Sequence, residues 1–119
     1  MSDMIERFQN MLDGGQDSAM LRFSLGNALA TDGQLEAAVP HLERALELDG
    51  GYSAAWKLLA KTLVQLERPE AALYTCERGI RVATDKGDLQ AVKEMEVFAK
   101  RARKQQAAAD GTGDESGGA

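Results

Sequence analysis

Chemically reactive side chains are scarce in this sequence. Cys76 is the only cysteine among 119 residues, which excludes an intrachain disulfide and fits a reducing compartment. His41 is the only histidine. One histidine and one cysteine without clustered carboxylates make a poor metal site, and a Cys–His nucleophile would need the two in contact. No glycine-rich phosphate loop is present, so no nucleotide or other cofactor is expected and an enzyme is not. Aromatics are few: one Trp, two Tyr and three Phe. Leu, Ala and Met must fill the core, which favours closely packed helices. No apolar stretch approaches the roughly 20 residues of a membrane span. The N-terminus carries Asp3 and Glu6 and has no basic segment ahead of an apolar run, so it does not read as a secretory signal. The expected location is cytoplasmic.

Strong charge of one sign is also missing. The formal net charge is −5, and Asp110, Asp114 and Glu115 in the C-terminal stretch account for three of those charges, leaving −2 for the body. A near-neutral body has no general attraction for nucleic acid or anionic lipid. Lys100, Arg101, Arg103 and Lys104 do form a basic run. At a helix C-terminus they complement the dipole, and no Tyr or Trp is interleaved for base stacking.

What is present is helical periodicity. Apolar residues recur at three- and four-residue spacing in six segments, and none alternates as a strand would. The punctuation predicts helices over about 3–12, 19–31, 34–48, 53–66, 69–83 and 88–104. Gly14-Gly15, Gly33 and Gly50-Gly51 stop the first three, and Pro69 opens the fifth, where its missing N–H costs nothing. TDKGD at 84–88 reads as a turn, and residues 107–119 as a disordered acidic, glycine-rich tail.

The pattern is written twice. RFSLGNAL at 22–29 and WKLLAKTL at 56–63 are 34 residues apart. That offset sets Leu25 on Leu59, Gly26 on Ala60, Leu29 on Leu63, Ala38 on Ala72, Leu42 on Cys76 and Ala45 on Gly79. Small residues fall on small and apolar on apolar, as in a stacked array of paired helices. Small residues let helices approach closely, and large ones fill the space between. Trp56 therefore reads as a packing anchor and Cys76 as a small core residue.

On these residues the chain resembles the tetratricopeptide repeat (TPR) family, in the form of a small bacterial-type member. Its pattern is W-x2-L-G-x2-Y, then A-x3-F and a small residue. Trp56, Leu59, Ala60, Leu63, Ala72, Cys76 and Gly79 stand for it in one copy. Arg22, Leu25, Gly26, Leu29, Ala38, Leu42 and Ala45 stand for it in the other, with Arg22 replacing Trp. The resemblance implies an all-α, right-handed helical-hairpin solenoid of about six antiparallel helices. It would comprise a half repeat at 3–15, repeats at 19–51 and 53–86, and a polar capping helix at 88–104.

The resemblance also implies a non-enzymatic protein–protein interaction module or scaffold, binding a peptide or partner helix in a concave groove. Carried over, the groove residues are Met20, Phe23, Asn27, Lys57, Lys61 and Met95. Lys57 and Lys61 lie one turn apart and would give the groove a basic centre, although both also read as solvated surface lysines. The carboxylate clamp of chaperone-binding members does not carry over. Asn27 matches one clamp position, but Phe23, Leu58, Asp88 and Val92 occupy the others. The alternative is a self-associating structural or assembly subunit, with Met4, Met11 and Met20 near one end. The expected state is a monomer or weak homodimer.

Overall fold

A computed structural model describes residues 3–110, and among them there are six helices and no strand. They are α1 (Asp3–Asp13), α2 (Ala19–Thr31), α3 (Leu35–Leu48), α4 (Ser53–Gln65), α5 (Pro69–Lys86) and α6 (Leu89–Ala109). The local chemistry explains several boundaries. Ser18 caps α2, its hydroxyl accepting from the Leu21 N–H at 3.1 Å. Pro69 is in the first turn of α5. Gly87 ends α5 at φ 75°, a left-handed conformation that favours glycine.

Two boundaries differ from the sequence expectation. Helix α5 continues through Thr84, Asp85 and Lys86 instead of turning there, because Gly87 is the residue that supplies the left-handed stop. Helix α6 runs to Ala109 and includes residues 107–109, which the composition assigned to a disordered tail. Packing holds its end: Ala102 is fully buried, and the Gln105 amide Nε2 donates to the Val64 carbonyl of α4 at 3.0 Å. The rest of that tail, 111–119, lies outside the described residues.

Each helix packs chiefly on its neighbours in sequence, and α4 also reaches across to α6. The body measures 58 × 34 × 19 Å, so it is two helices thick in its smallest dimension. This is the helical-hairpin solenoid anticipated from the repeat. Its apolar interior continues along the array. One cluster centres on Leu25, Leu29, Leu42, Leu59 and Leu63, and the next on Ala60, Cys76, Ala91, Met95 and Ala99.

The small positions do what the repeat required. A Cβ at Gly26 would lie 2.7 Å from Leu42 Cδ2, and one at Gly79 would lie 2.5 Å from Met95 Sδ. A Cβ at Gly79 would also lie 2.8 Å from Trp56 Cβ, so close approach of α2 to α3, and of α5 to both α4 and α6, depends on the missing side chain. The tight turns inside the hairpins also repeat. Gly33 takes φ 83° between α2 and α3, and Glu67 takes φ 56° at the corresponding place between α4 and α5. A glutamate there carries the steric cost that Gly33 avoids.

Candidate functional site

Helices α2, α4 and α6 line one face of the solenoid. Between them is a groove of about 310 Å³. Phe23, Leu58 and Phe98 supply its apolar surface, and Asn27, Lys57, Lys61 and Glu94 its polar groups. The Phe23 ring leans on Tyr52, with centroids 5.0 Å apart. On the opposite wall the Arg101 guanidinium carbon lies over the Phe98 ring, 6.0 Å from its centre.

Four of the six carried-over residues, Phe23, Asn27, Lys57 and Lys61, border this groove. Met95 does not. It is fully buried among Cys76, Ala91 and Ala99, and its place in the groove is taken by Glu94 and Phe98. The reason is a register slip. The core residues Leu21, Leu25 and Leu29 recur after 34 residues as Ala55, Leu59 and Leu63, but after a further 36 as Ala91, Met95 and Ala99. The last stretch is two residues longer than the repeat period, so Met95 falls on the core position of Leu59 and not on the groove position of Lys61. Met20 is 71% exposed at the start of α2, outside the groove lining.

The basic centre is also smaller than expected. Lys57 Nζ donates to Glu94 Oε1 at 3.1 Å, a carboxylate that an unslipped 34-residue register would have turned away. Among the described residues, Lys61 has no ion-pair partner. The groove therefore offers one uncommitted ammonium beside the Asn27 amide and an aromatic pair. Asp88, which the 34-residue period set at a clamp position, is moved by the same slip to the start of α6. Its carboxylate caps α6, accepting from the Ala91 N–H, and also accepts from the Ser53 hydroxyl, each at 3.1 Å.

The two reactive side chains stand apart. Cys76 is fully buried, and burial pushes its thiol up to about 11, so it remains a protonated packing group. His41 is half-buried on α3. Arg22 Nη1 donates to its Nδ1 at 3.0 Å, and since a guanidinium can only donate, that nitrogen must be unprotonated. Burial, then the Arg22 charge, lowers the His41 pKa. Arg22 is in turn held by Asp17 at 2.8 and 3.1 Å. This knot joins α2 to α3 where the pattern has Arg22 in place of Trp. No group of three or more metal-ligating side chains occurs among the described residues.

Comparison with known proteins agrees with the architecture. The model of the tetratricopeptide repeat family matches residues 29–95. A TPR repeat-containing protein of Pseudomonas aeruginosa is 43% identical over 98 residues, covering 82% of this chain and 93% of its own length. The chain belongs to the tetratricopeptide repeat family. A Bordetella parapertussis protein of known solution structure is 42% identical with a TM-score of 0.75, covering 91% of this chain and 94% of that one. The TPR2B domain of yeast Sti1, solved as a complex with pHsp70, superposes with a TM-score of 0.77 at 17% identity, covering 85% of this chain and 81% of that one. That likeness is one of fold. TPR proteins generally mediate protein–protein interactions, and no helix among the described residues is long and apolar enough to cross a membrane.

In TPR terms, α2 and α4 are the first helices of the two repeats and α3 and α5 the second. Trp56 is a packing anchor with a second duty. Its indole Nε1 donates to the Gly50 carbonyl at 2.9 Å, which ties the start of α4 to the end of α3. Its side chain also lines an opening on the opposite side of the array. The sequence reading missed that opening, because the repeat pattern marks Trp56 as core without saying how completely it is covered.

Proposed function

We propose that this protein is a non-enzymatic interaction module that receives a peptide or partner helix in the groove between α2, α4 and α6. The reading rests on one observation above the others: in this groove Lys61, without an ion-pair partner among the described residues, stands with the Asn27 amide beside the aromatic surface of Phe23 and Phe98. A ligand needs an apolar residue for the rings and a carboxylate or carbonyl for Lys61 and Asn27. Lys57 contributes less to an anion, because Glu94 already neutralises it. The Sti1 TPR2B domain, similar in fold, is solved as a complex with pHsp70, which supports a binding role for an array of this kind.

The fold also argues for a binding role without turnover. Its cysteine is buried, and its half-buried histidine has Nδ1 engaged by Arg22. The test is affinity capture from source cells with native protein and with Lys61→Glu and Phe98→Ala variants of unchanged helical content. A partner retained by the native chain and lost by both variants is expected. Equal recovery by all three would remove the groove from consideration.

A further inference from the structure

The larger opening lies on the other side of the molecule. Helices α3 and α5 both pack on α4 but not on one another. They leave a cleft of about 610 Å³ with Trp56, Leu59 and Leu63 of α4 at its floor. Its two rims differ in sign. Helix α3 presents Glu43 and Glu47, one turn apart, and helix α5 presents Arg78 and Arg81. Among the described residues no partner charge lies within ion-pair distance of Glu43, Arg78 or Arg81, while Glu47 is held by Arg44 at 3.0 Å.

The cleft is also preorganised. The indole is fixed by its bond to Gly50. The Arg78 guanidinium carbon sits 5.4 Å from the Tyr74 ring centre and 6.0 Å from that of Trp56, so the cation rests on two aromatic faces. Tyr74 is nevertheless 59% exposed.

We infer that this cleft is a second interaction surface, separate from the concave groove, and that it takes an amphipathic helix of a partner protein with basic residues along one edge and acidic residues along the other. The charges select the edges: a basic edge meets chiefly Glu43, with Glu47 shared with Arg44, and an acidic edge meets Arg78 and Arg81. The backbone selects the helix. The walls and floor are helical, and their backbone groups are already paired within them. An extended segment would find no strand edge there, whereas a helix satisfies its own N–H and C=O groups. From Ala71 to Val82 the cleft spans about 16 Å at 1.5 Å per residue, which matches an apolar stripe at positions i, i+4, i+7 and i+11.

Three stapled helical peptides of about 18 residues test this, long enough to hold a helix with support. All carry the same leucine stripe. One has Lys on one edge and Glu on the other, one has Lys on both, and one has Glu on both. Trp56, the only tryptophan, reports binding by fluorescence, and amide NMR shifts locate it. The mixed peptide is expected to bind at least about tenfold tighter than either other, with shifts at Trp56, Tyr74 and Arg78. In the Glu43→Lys, Glu47→Lys variant both rims are basic, and preference is expected to move to the peptide with Glu on both edges. Both residues are exposed, so the variant should keep its fold, which circular dichroism checks. The inference is overturned if the three peptides bind alike, if none binds at about 1 mM (a free energy near −4 kcal/mol), or if the shifts fall at Phe23 and Phe98. It is equally overturned if the charge reversal leaves the order of preference unchanged, or if sedimentation shows a dimer whose concentration-dependent amide shifts fall at Trp56, Tyr74 and Arg78.

Discussion

Replacing Gly79 with alanine should destabilise the protein, although alanine is the better helix former. In an open helix the change would gain about 1 kcal/mol. Here the added methyl would lie 2.5 Å from Met95 Sδ and 2.8 Å from Trp56 Cβ. Comfortable carbon contacts are about 3.5–4.0 Å, so each neighbour must yield by roughly 1 Å. Met95 is a flexible side chain and can give way, though it is fully buried and must move into packed surroundings. The Trp56 Cβ cannot swing. It sits one bond from the α4 backbone, and its indole is tied to Gly50. The α4–α5 hairpin must open instead. Overpacking of this kind costs about 1–3 kcal/mol, which outweighs the propensity gain and leaves a net loss of about 1 kcal/mol. Urea unfolding followed by helical circular dichroism should show a lower midpoint with an unchanged slope. Thermal unfolding should shift down by about 4–8 °C for each kcal/mol lost. Adding Met95→Ala should shrink the penalty, because one of the two clashes disappears. A higher midpoint for Gly79→Ala would refute the close approach of α4 and α5.

Four further outcomes are expected. Glu67→Gly should raise stability by up to about 1 kcal/mol by relieving the left-handed residue between α4 and α5, and a lower urea midpoint would contradict this. The Cys76 thiol should resist Ellman's reagent in the native protein at pH 8 and react only on unfolding; rapid native modification would show that the site is open. Because the folded His41 pKa lies below its ordinary 6.5, the unfolded chain binds the extra proton first. Stability from this group is complete above pH 6.5 and is lost as the pH falls toward the folded value, so His41→Gln should flatten the fall in urea midpoint below neutrality, and parallel profiles would rule the histidine out. Trp56→Phe should cost about 1 kcal/mol through loss of the bond to Gly50, measured by the same unfolding curves; an unchanged midpoint would leave that bond without a role.

The helical hairpins were legible because their rules are local. Leu25, Leu29, Leu59 and Leu63 repeat at a fixed spacing, Gly26 and Gly79 lie where helices touch, and Pro69 opens a helix. The groove was legible as far as the period held, which brought Phe23, Asn27, Lys57 and Lys61 to one face. It failed at α6. The two extra residues before that helix rotate its face, so Met95 turns inward and Glu94 reaches Lys57. Gly87 carried the missing signal, since a lone glycine after a lysine marks the end of α5 better than the polar run before it. The end of α6 was misread for a different reason. Its alanines and glutamines have little to bury by composition, yet Ala102 and Gln105 meet the side of α4. The cleft over Trp56 had no sequence signal at all, because it arises from the gap between two helices that share a neighbour.

The most direct test of the groove as the working surface is amide NMR mapping of the partner segment recovered by affinity capture. The account predicts shifts concentrated at Phe23, Asn27, Lys61, Glu94 and Phe98, with binding weakened by Lys61→Glu. Shifts confined to the outer faces of α1 or α6, together with undiminished binding by Lys61→Glu, would contradict it.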